Sequence, residues 1–492
     1  MNKVSSNFHS KGLRLGLQPA PAWTAILGFV LVCTLGTLGG AANIIRLMFP
    51  AGAFAVAAFL YWRYPILYLG FTWWLWFLTP WVRRLIDYRS SFVEPSLVLL
   101  APYLVTLVSL ATFLRYLPKL YRRDGLPFVL ALASVAYAIL IGLINSKYGL
   151  NPDVVAVIEP GGGSLSYTPS NVLIRALDWA VPILFSFHIY VNWQNYPEYR
   201  HNLLRTFRWG VLIMSLYGIV QFLVAPEWDK LWLTNVIKTG NTAFGTPVPL
   251  GIRVFSTMHS PGPFAITLMA GLVLLFADRG GVRLFAAGAG YLTFLLTLVR
   301  SAWGAWLLNL IIFSSSLKAH LQMRLIVTIL VIGICAFPLT TIEPFSSVIS
   351  KRTQTLTNIQ EDGSFQARAH AFGRGVDVAL FESIGNGVGL PGVDSGFIDI
   401  LFALGWLGAI PYFSGLFMLV FNVLQGAARR FDPLVSAATA ISLGQIAQLV
   451  FGNGLTGISG ILIWAFLSFA LAGNKYYKHQ QISSFETNKG SS

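Results

Sequence analysis

Long apolar runs separated by short basic segments recur along this chain from Trp23 to Leu471. A bilayer hydrocarbon core of ~30 Å takes about 20 apolar residues to cross as a helix. The pattern predicts fourteen spans, near 22–42, 44–62, 64–81, 93–115, 127–144, 172–191, 207–224, 254–276, 284–299, 302–317, 325–341, 396–424, 433–451 and 457–472. The expected fold is therefore an all-α polytopic membrane protein.

Lysine and arginine are concentrated in alternate connecting segments. If the N-terminus is cytoplasmic, every inward loop is basic, as the positive-inside rule requires. These loops hold, in chain order, Arg63; Arg115, Lys119, Arg122 and Arg123; Arg200, Arg205 and Arg208; Arg279 and Arg283; Lys318 and Arg324; Arg429 and Arg430; and Lys475 and Lys478. Both termini are then expected in the cytoplasm.

The longest segment between spans, 342–395, is expected to form one large external loop before the last three spans. The chain is thus divided into spans one to eleven (1–341), the loop (342–395), spans twelve to fourteen (396–474) and a cytoplasmic tail (475–492). Within the loop, GVDVALFESIG has the spacing of a short amphipathic helix. The following GNGVGLPG, residues 385–392, lacks the Lys-Ser/Thr of a nucleotide-binding loop and is interpreted as a tight turn back to the membrane.

Composition supports a membrane protein and argues against several classes of partner. Hydrophobic residues make up 55% of the chain and charged residues 11%, against about 25% charged in soluble domains. The net charge of +15 is explained by the basic inward loops, so no nucleic-acid partner is expected. Cys33 and Cys335 both fall inside predicted spans, and no metal site or cofactor is expected.

Four external arginines are candidates for binding an anion. Arg300 stands between two tightly spaced spans, where a charge is expensive unless it is paired or reaches the headgroups. Arg253 precedes the helix breakers Pro261, Gly262 and Pro263, which indicate either a broken helix lining a cavity or a simple kink. Arg368 and Arg374 lie in the external loop. The guanidinium fork suits phosphate oxygens, although a solvated face or lipid-headgroup contact also explains the loop arginines.

Two carboxylates, Asp394 and Asp399, open the twelfth span. Positions five apart are separated by about 140° on a helix, so the two side chains do not share a face. Asp394 or Ser395 is positioned to cap a helix beginning at Gly396. One carboxylate is then available as a base while the other caps or packs.

Two other polar pairs fall inside predicted spans. Arg175 and Asp178, three residues apart, are expected to form an intrahelical pair. Gln445 and Gln448 are expected to form hydrogen bonds between helices.

In sequence order, TLVRSAWGAWL, SFQAR and VDSGFIDILFALGWLG resemble segments of the O-antigen ligase and polysaccharide polymerase superfamily. Its members transfer glycans from undecaprenyl diphosphate on the periplasmic face of the bacterial inner membrane. The resemblance covers about residues 250 to 424. It departs from the ligase pattern at Asp394, where ligases have His; Asp followed by Ser and an aromatic residue is similar to the polymerase branch.

The resemblance implies a metal-independent, inverting glycosyltransferase with its active site in the periplasm. Asp394 would be the catalytic base. Arg300 and Arg368 would stabilise the departing diphosphate, with Arg253 and Arg374 as further diphosphate-binding residues. The expected partners are the undecaprenyl-diphosphate-linked glycan, a glycan or lipid acceptor and membrane lipids, with polysaccharide assembly proteins as candidates. The alternatives are an O-antigen ligase and a lipid-linked oligosaccharide flippase.

Overall fold

The computed structural model describes residues 19–120, 125–158, 167–238, 243–317, 322–323, 326, 363–391, 395–450, 452 and 454–489, without the side chains of 363–371 and 484–489. Regular structure in these ranges is helical, apart from one isolated bridge between Gly245 and Ile252. The α-helices are α1 Ala20–Leu38, α2 Ala42–Arg63, α3 Pro65–Arg89, α4 Ala101–Leu107, α5 Leu110–Tyr116, α6 Leu126–Tyr148, α7 Pro152–Ile158, α8 Pro169–Val191, α9 Tyr196–Val224, α10 Glu227–Lys238, α11 Pro261–Ala277, α12 Arg283–Leu296, α13 Arg300–Ser315, α14 Gly363–Phe381, α15 Gly396–Gln425, α16 Pro433–Gln448 and α17 Gly457–Lys489.

Eight helical segments of the described chain are long and apolar enough to cross a membrane, so the prediction of an all-α membrane protein is confirmed. They are Ala20–Leu38, Ala42–Arg63, Leu97–Lys119, Leu126–Tyr148, Pro169–Val191, Trp193–Val224, Gly396–Gln425 and Gly457–Ser483. Helices α11 and α12 are apolar but shorter. The count of fourteen spans stays a prediction, and the span at 325–341 lies almost wholly outside the described residues.

The structure corrects three boundaries. The span predicted at 93–115 is interrupted: a 3-10 turn, Leu97–Leu100, precedes two short helices, α4 and α5. The span predicted from residue 254 begins at Pro261, because proline lacks the N–H that a helix interior needs but fits its first position. Pro261 therefore starts a helix rather than breaking one. The last helix continues from the predicted span into the predicted tail, as far as Lys489.

Helices α8 and α17 form the centre of the bundle, and α1 lies at its edge. The apolar window of α17 is 89% buried and that of α1 only 11%. Ser186 of α8 links the two central helices through hydrogen bonds to the carbonyl of Trp464 and the hydroxyl of Ser468, both 2.6 Å. Small hydroxyl residues of this kind allow close helix approach in membranes.

The basic connections meet at one end of the bundle. Arg208 of α9 binds Asp278, which follows α11, with Nη1–Oδ2 at 3.0 Å. Arg200 lies 3.8 Å from Asp432, the N-cap residue of α16. We call this the basic end; its residues include Arg63, Arg200, Arg205, Arg208, Arg279, Arg430 and Lys475. Its composition agrees with the predicted alternation of loops, while the assignment of this end to the cytoplasm stays a prediction.

Candidate functional site

Arg300 follows a tight turn at the end opposite the basic end. Residues 297–299 join α12 to α13, and Arg300 is the first residue of α13. Leu298 has φ = 55°, a conformation that residues other than glycine rarely adopt. The indole of Trp303 donates to the carbonyl of Phe294 across the turn, at 3.2 Å. The turn is therefore held by its surroundings, and it leaves Arg300 partly exposed.

Arg253 contacts this same turn. Its Nη2 donates to the carbonyl of Leu298 at 3.3 Å and its Nε to that of Thr297 at 3.4 Å. Its Nη1 donates to the carbonyl of Ala243 at 2.8 Å. The next residue, Val254, donates its N–H to Leu296. The structure thus brings Arg253 beside the Arg300 turn, where several of its donors stabilise backbone carbonyls.

The end of α16 connects the Arg300 turn to the beginning of α15. Gln448 donates its amide N–H to the carbonyl of Ser301 at 3.0 Å, so its predicted interhelical hydrogen bond is confirmed. The carbonyl of Leu449 accepts the N–H of Phe397, and the carbonyl of Gly452 accepts that of Gly396. We call the resulting cluster, residues 253–256, 297–301, 395–399, 448–450 and Gly452, the junction.

Helix α15 begins at Gly396, as predicted, with Ser395 at its N-cap. The Ser395 hydroxyl does not cap the helix; it lies 3.4 Å from the carbonyl of Leu449 and links α15 to α16 instead. Asp394 lies outside the described residues.

The loop arginines lie on α14. Gly375 of this helix packs against Ile398 in the first turn of α15, where an added Cβ would be 3.2 Å from Ile398 Cδ1. The neighbouring Arg374 is exposed and has no ion-pair partner among the described side chains. Arg368 lies on the same helix six residues before Arg374, about 9 Å along its axis, and its side chain is outside the described set. The amphipathic helix predicted near 375–385 is present, but it begins at Gly363 and ends at Phe381.

The glycine-rich segment after α14, which the sequence predicts to be a tight turn, packs into a break in α15. Gly405 has φ = 57° and ψ = −177° inside α15. The interruption frees the carbonyls of Phe402 and Ala403, which accept the N–H groups of Asn386 and Gly387 at 2.8 and 2.9 Å. A Cβ on Gly385, whose φ is 85°, would lie 2.5 Å from the Gly405 nitrogen. These glycines are needed for close backbone contact.

Asp399 lies on the first turn of α15, as predicted, and is 7% exposed. It lines a cavity of about 10 Å³ together with Arg175, Trp179 and Thr456, close to the minimum space for one water molecule. Nη1 of Arg175 is 3.4 Å from Oδ2 of Asp178, so the predicted intrahelical pair is confirmed. Asp399 is thus enclosed among these helices.

A buried ionic network behind the junction was not identified from the sequence. Nε of Arg84 lies 2.7 Å from Oδ1 of Asp229, and both side chains are at most 1% exposed. Arg84 also donates to the carbonyls of Met258 and Ser256. The adjacent arginines in FLTPWVRRLID, an apolar run, were the available signal, since buried charges in a span require partners.

The network fixes the loop that carries Arg253. Oδ2 of Asp229 accepts from Tyr217 at 2.7 Å and from the Gln221 amide at 2.9 Å. The Gln221 oxygen in turn accepts the N–H groups of Phe255 and Ser256, at 3.0 and 2.7 Å. Hydrogen bonds and the ion pair therefore link the backbone at Phe255 and Ser256 to α3, α9 and α10.

The geometry of the junction favours anion binding. The N-terminus of α13 lies there and contributes the positive end of a helix dipole. The first N–H groups of α15 donate instead to the carbonyls of Gly452 and Leu449. Arg300 adds a guanidinium at the first position of α13. Helix N-termini combined with arginine form common sites for phosphate groups. The described residues contain no cluster of three or more His, Cys, Asp or Glu side chains suited to a metal ion.

Comparison with models of known protein families finds no match for this chain, and comparison with curated proteins finds none either.

Proposed function

We propose that this membrane protein is a glycosyltransferase that polymerises oligosaccharide units carried on undecaprenyl diphosphate. The supporting observation is the junction, where Arg300 and the start of the helix after Asp394 are joined through the end of α16. Arg300 and Arg368 are assigned to the diphosphate and Asp394 to the acceptor hydroxyl. Arg253 and Arg374 extend the basic surface around them.

In the proposed reaction, the acceptor hydroxyl attacks the anomeric carbon of the donor sugar and the carbon–oxygen bond to the diphosphate breaks. The Asp394 carboxylate takes the hydroxyl proton. The leaving diphosphate gains negative charge, which Arg300 and the positive end of α13 stabilise. The donor sugar is already activated, so the reaction needs no nucleotide. The proposed location is the periplasmic side of a bacterial inner membrane, with both termini in the cytoplasm.

Replacing Arg300 by Lys tests the diphosphate assignment. Lysine keeps the charge but loses the planar fork. Losing one hydrogen bond to a charged group costs about 1.5–3 kcal/mol, which corresponds to a roughly 10- to 100-fold slower transfer. The assay is glycan transfer from purified lipid-linked donor by reconstituted protein, with Arg430→Lys at the basic end as the matched control. Equal rates for the two variants would refute the assignment.

Lipid-linked glycans in a deletion strain distinguish the related functions. Accumulation of single repeats on the outer face indicates lost polymerisation and is the expected result. Accumulation of long lipid-linked chains would indicate a ligase. Single repeats retained on the inner face would indicate a flippase.

A further inference from the structure

A long apolar groove runs along α3 on the opposite side from the central helices. Its volume is about 600 Å³, and its walls are formed by α1, α3 and the first half of α9. Along α3 it extends from Leu67 to Arg89, a distance of about 33 Å at 1.5 Å per residue. This is close to the ~30 Å thickness of a bilayer core. The groove therefore has the dimensions of a site for a lipid hydrocarbon chain.

The groove reaches the basic end beside an arginine that has no counterion among the described residues. Helix α9 carries Arg200, Arg205 and Arg208; the first and last bind Asp432 and Asp278. Arg205 lines the groove, is exposed and has no ion-pair partner in the described part of the chain. Its charge is available to an anionic headgroup at the mouth of the groove.

The two mouths of the groove have different linings. Helix α9 contributes lining residues only between Asn202 and Trp209, near the basic end. The opposite mouth is lined by Trp228 of α10 and by Arg89, whose guanidinium carbon lies 6.0 Å from the ring of its neighbour Tyr88. The wall from α9 and the exposed Arg205 therefore lie together at the basic end.

We propose that this groove binds an anionic glycerophospholipid. Its phosphate lies at Arg205, and one acyl chain runs along α3 past Phe71 and Trp74. Thr34 of α1 faces this path from the other wall. The proposal is independent of the glycosyltransferase proposal, since the lipid lies away from the junction. Binding of a lipid here attaches the peripheral helix α1 to α3 and α9.

Blocking the groove is the first test. Thr34→Trp places a large side chain in the groove, whereas Leu35→Trp places it at a neighbouring exposed position that does not line the groove. Each protein is purified in detergent and titrated with phosphatidylglycerol, and bound lipid is counted by native mass spectrometry. The tryptophan at position 34 should lower binding at least fivefold relative to that at position 35. Equal binding would overturn the site.

The headgroup assignment is tested with Arg205→Gln against Arg430→Gln, an exposed arginine at the same end that does not line the groove. The measurement is the preference for phosphatidylglycerol over phosphatidylcholine. Loss of one basic contact at a membrane surface should reduce this preference about fivefold. An unchanged preference in Arg205→Gln would overturn the role of Arg205. Displacement of phosphatidylglycerol by equimolar polyisoprenyl phosphate would overturn a glycerophospholipid as the occupant.

Discussion

Arginines in two adjoining regions of this protein have opposite environments. In the network behind the junction, Arg84 is 1% exposed and its donors face a carboxylate and two carbonyls. Its guanidinium carbon also lies 4.8 Å from the centre of the Phe255 ring. In the junction, Arg300 is partly exposed, and Arg374 on the adjoining helix is exposed. The protein encloses the first arginine and leaves the other two accessible.

The comparison separates a structural role from a candidate binding role. A buried charge must be compensated inside the protein, because removing it from water costs several kcal/mol. Arg84 is compensated by Asp229, and the pair holds the loop after Arg253 against α3 and α10. Arg300, partly exposed at the N-terminus of α13, is instead placed where a phosphate can reach it. Substitutions in the two regions should therefore affect different measurements.

The largest expected effect is loss of folding when Asp229 becomes Asn. The change leaves the Arg84 charge buried and uncompensated, which costs about 3–5 kcal/mol. We expect little folded protein, measured as the monodisperse fraction and thermal midpoint in fluorescence-detected size-exclusion chromatography. Arg84→Met combined with Asp229→Leu should recover part of the loss, because it removes both charges.

Glu227→Gln is the matched control on the same helix. Glu227 pairs with Lys230 at 2.8 Å, but its side chain is 66% exposed, and exposed pairs contribute about 0–1 kcal/mol. If Asp229→Asn lowered the thermal midpoint no more than Glu227→Gln, the Arg84 network would not be the structural anchor that the geometry indicates.

The next effect concerns rate rather than folding: Asp394→Asn should reduce glycan transfer by ~10²–10⁴-fold, the usual contribution of a general base. Asparagine keeps the size of the side chain and much of its capping ability, so expression should be normal. Asp399→Asn is the matched control, five residues later in the sequence, on the first turn of α15, where it lines a water-sized cavity. Selective inactivity of the control, or near-normal transfer by Asp394→Asn, would refute the assignment.

Hydrophobic patterning was sufficient to predict the fold class, because a helix that crosses the bilayer must be apolar along its whole length. It failed where a single proline or glycine changes the local backbone conformation. Pro261 starts α11 later than hydropathy indicates, and Gly405 opens α15 to receive the turn at Asn386. Both depend on backbone conformations that an average over apolar residues does not detect.

The site was only partly predictable for a different reason. Sequence reasoning selected Arg253 and Arg300, and the structure joins them through the turn at Leu298. It could not find the partner of Arg84, since Asp229 lies 145 residues away and such a pairing depends on how helices assemble. The sequence shows that an arginine lies in an apolar run, where burying its charge costs free energy. Only the tertiary structure shows whether a protein group or a ligand offsets that cost.

The smallest effect tests the same principle with two neutral side chains on α16. Gln445 and Gln448 were both predicted to bond between helices. Gln448 does, to Ser301, whereas Gln445 is 0% exposed and neither atom of its amide has a partner among the described residues. The expectation is therefore wrong for Gln445 within the described chain. An unsatisfied buried polar group costs about 1–3 kcal/mol, so replacing it by a side chain of similar shape should not destabilise the bundle.

We expect Gln445→Met to leave the thermal midpoint unchanged or to raise it, with a gain of at most about 1 kcal/mol, since methionine fills the same space without polar atoms. Gln448→Met should lower it slightly, by about 0.5–1.5 kcal/mol for one lost hydrogen bond. Thermal midpoints of the two variants, measured side by side in the same detergent, give the sign of the difference. A larger drop in the thermal midpoint for Gln445→Met would show that the Gln445 amide has a partner in the folded protein. The reading of burial and partners that distinguishes Arg84 from Arg300 would then not extend to neutral side chains.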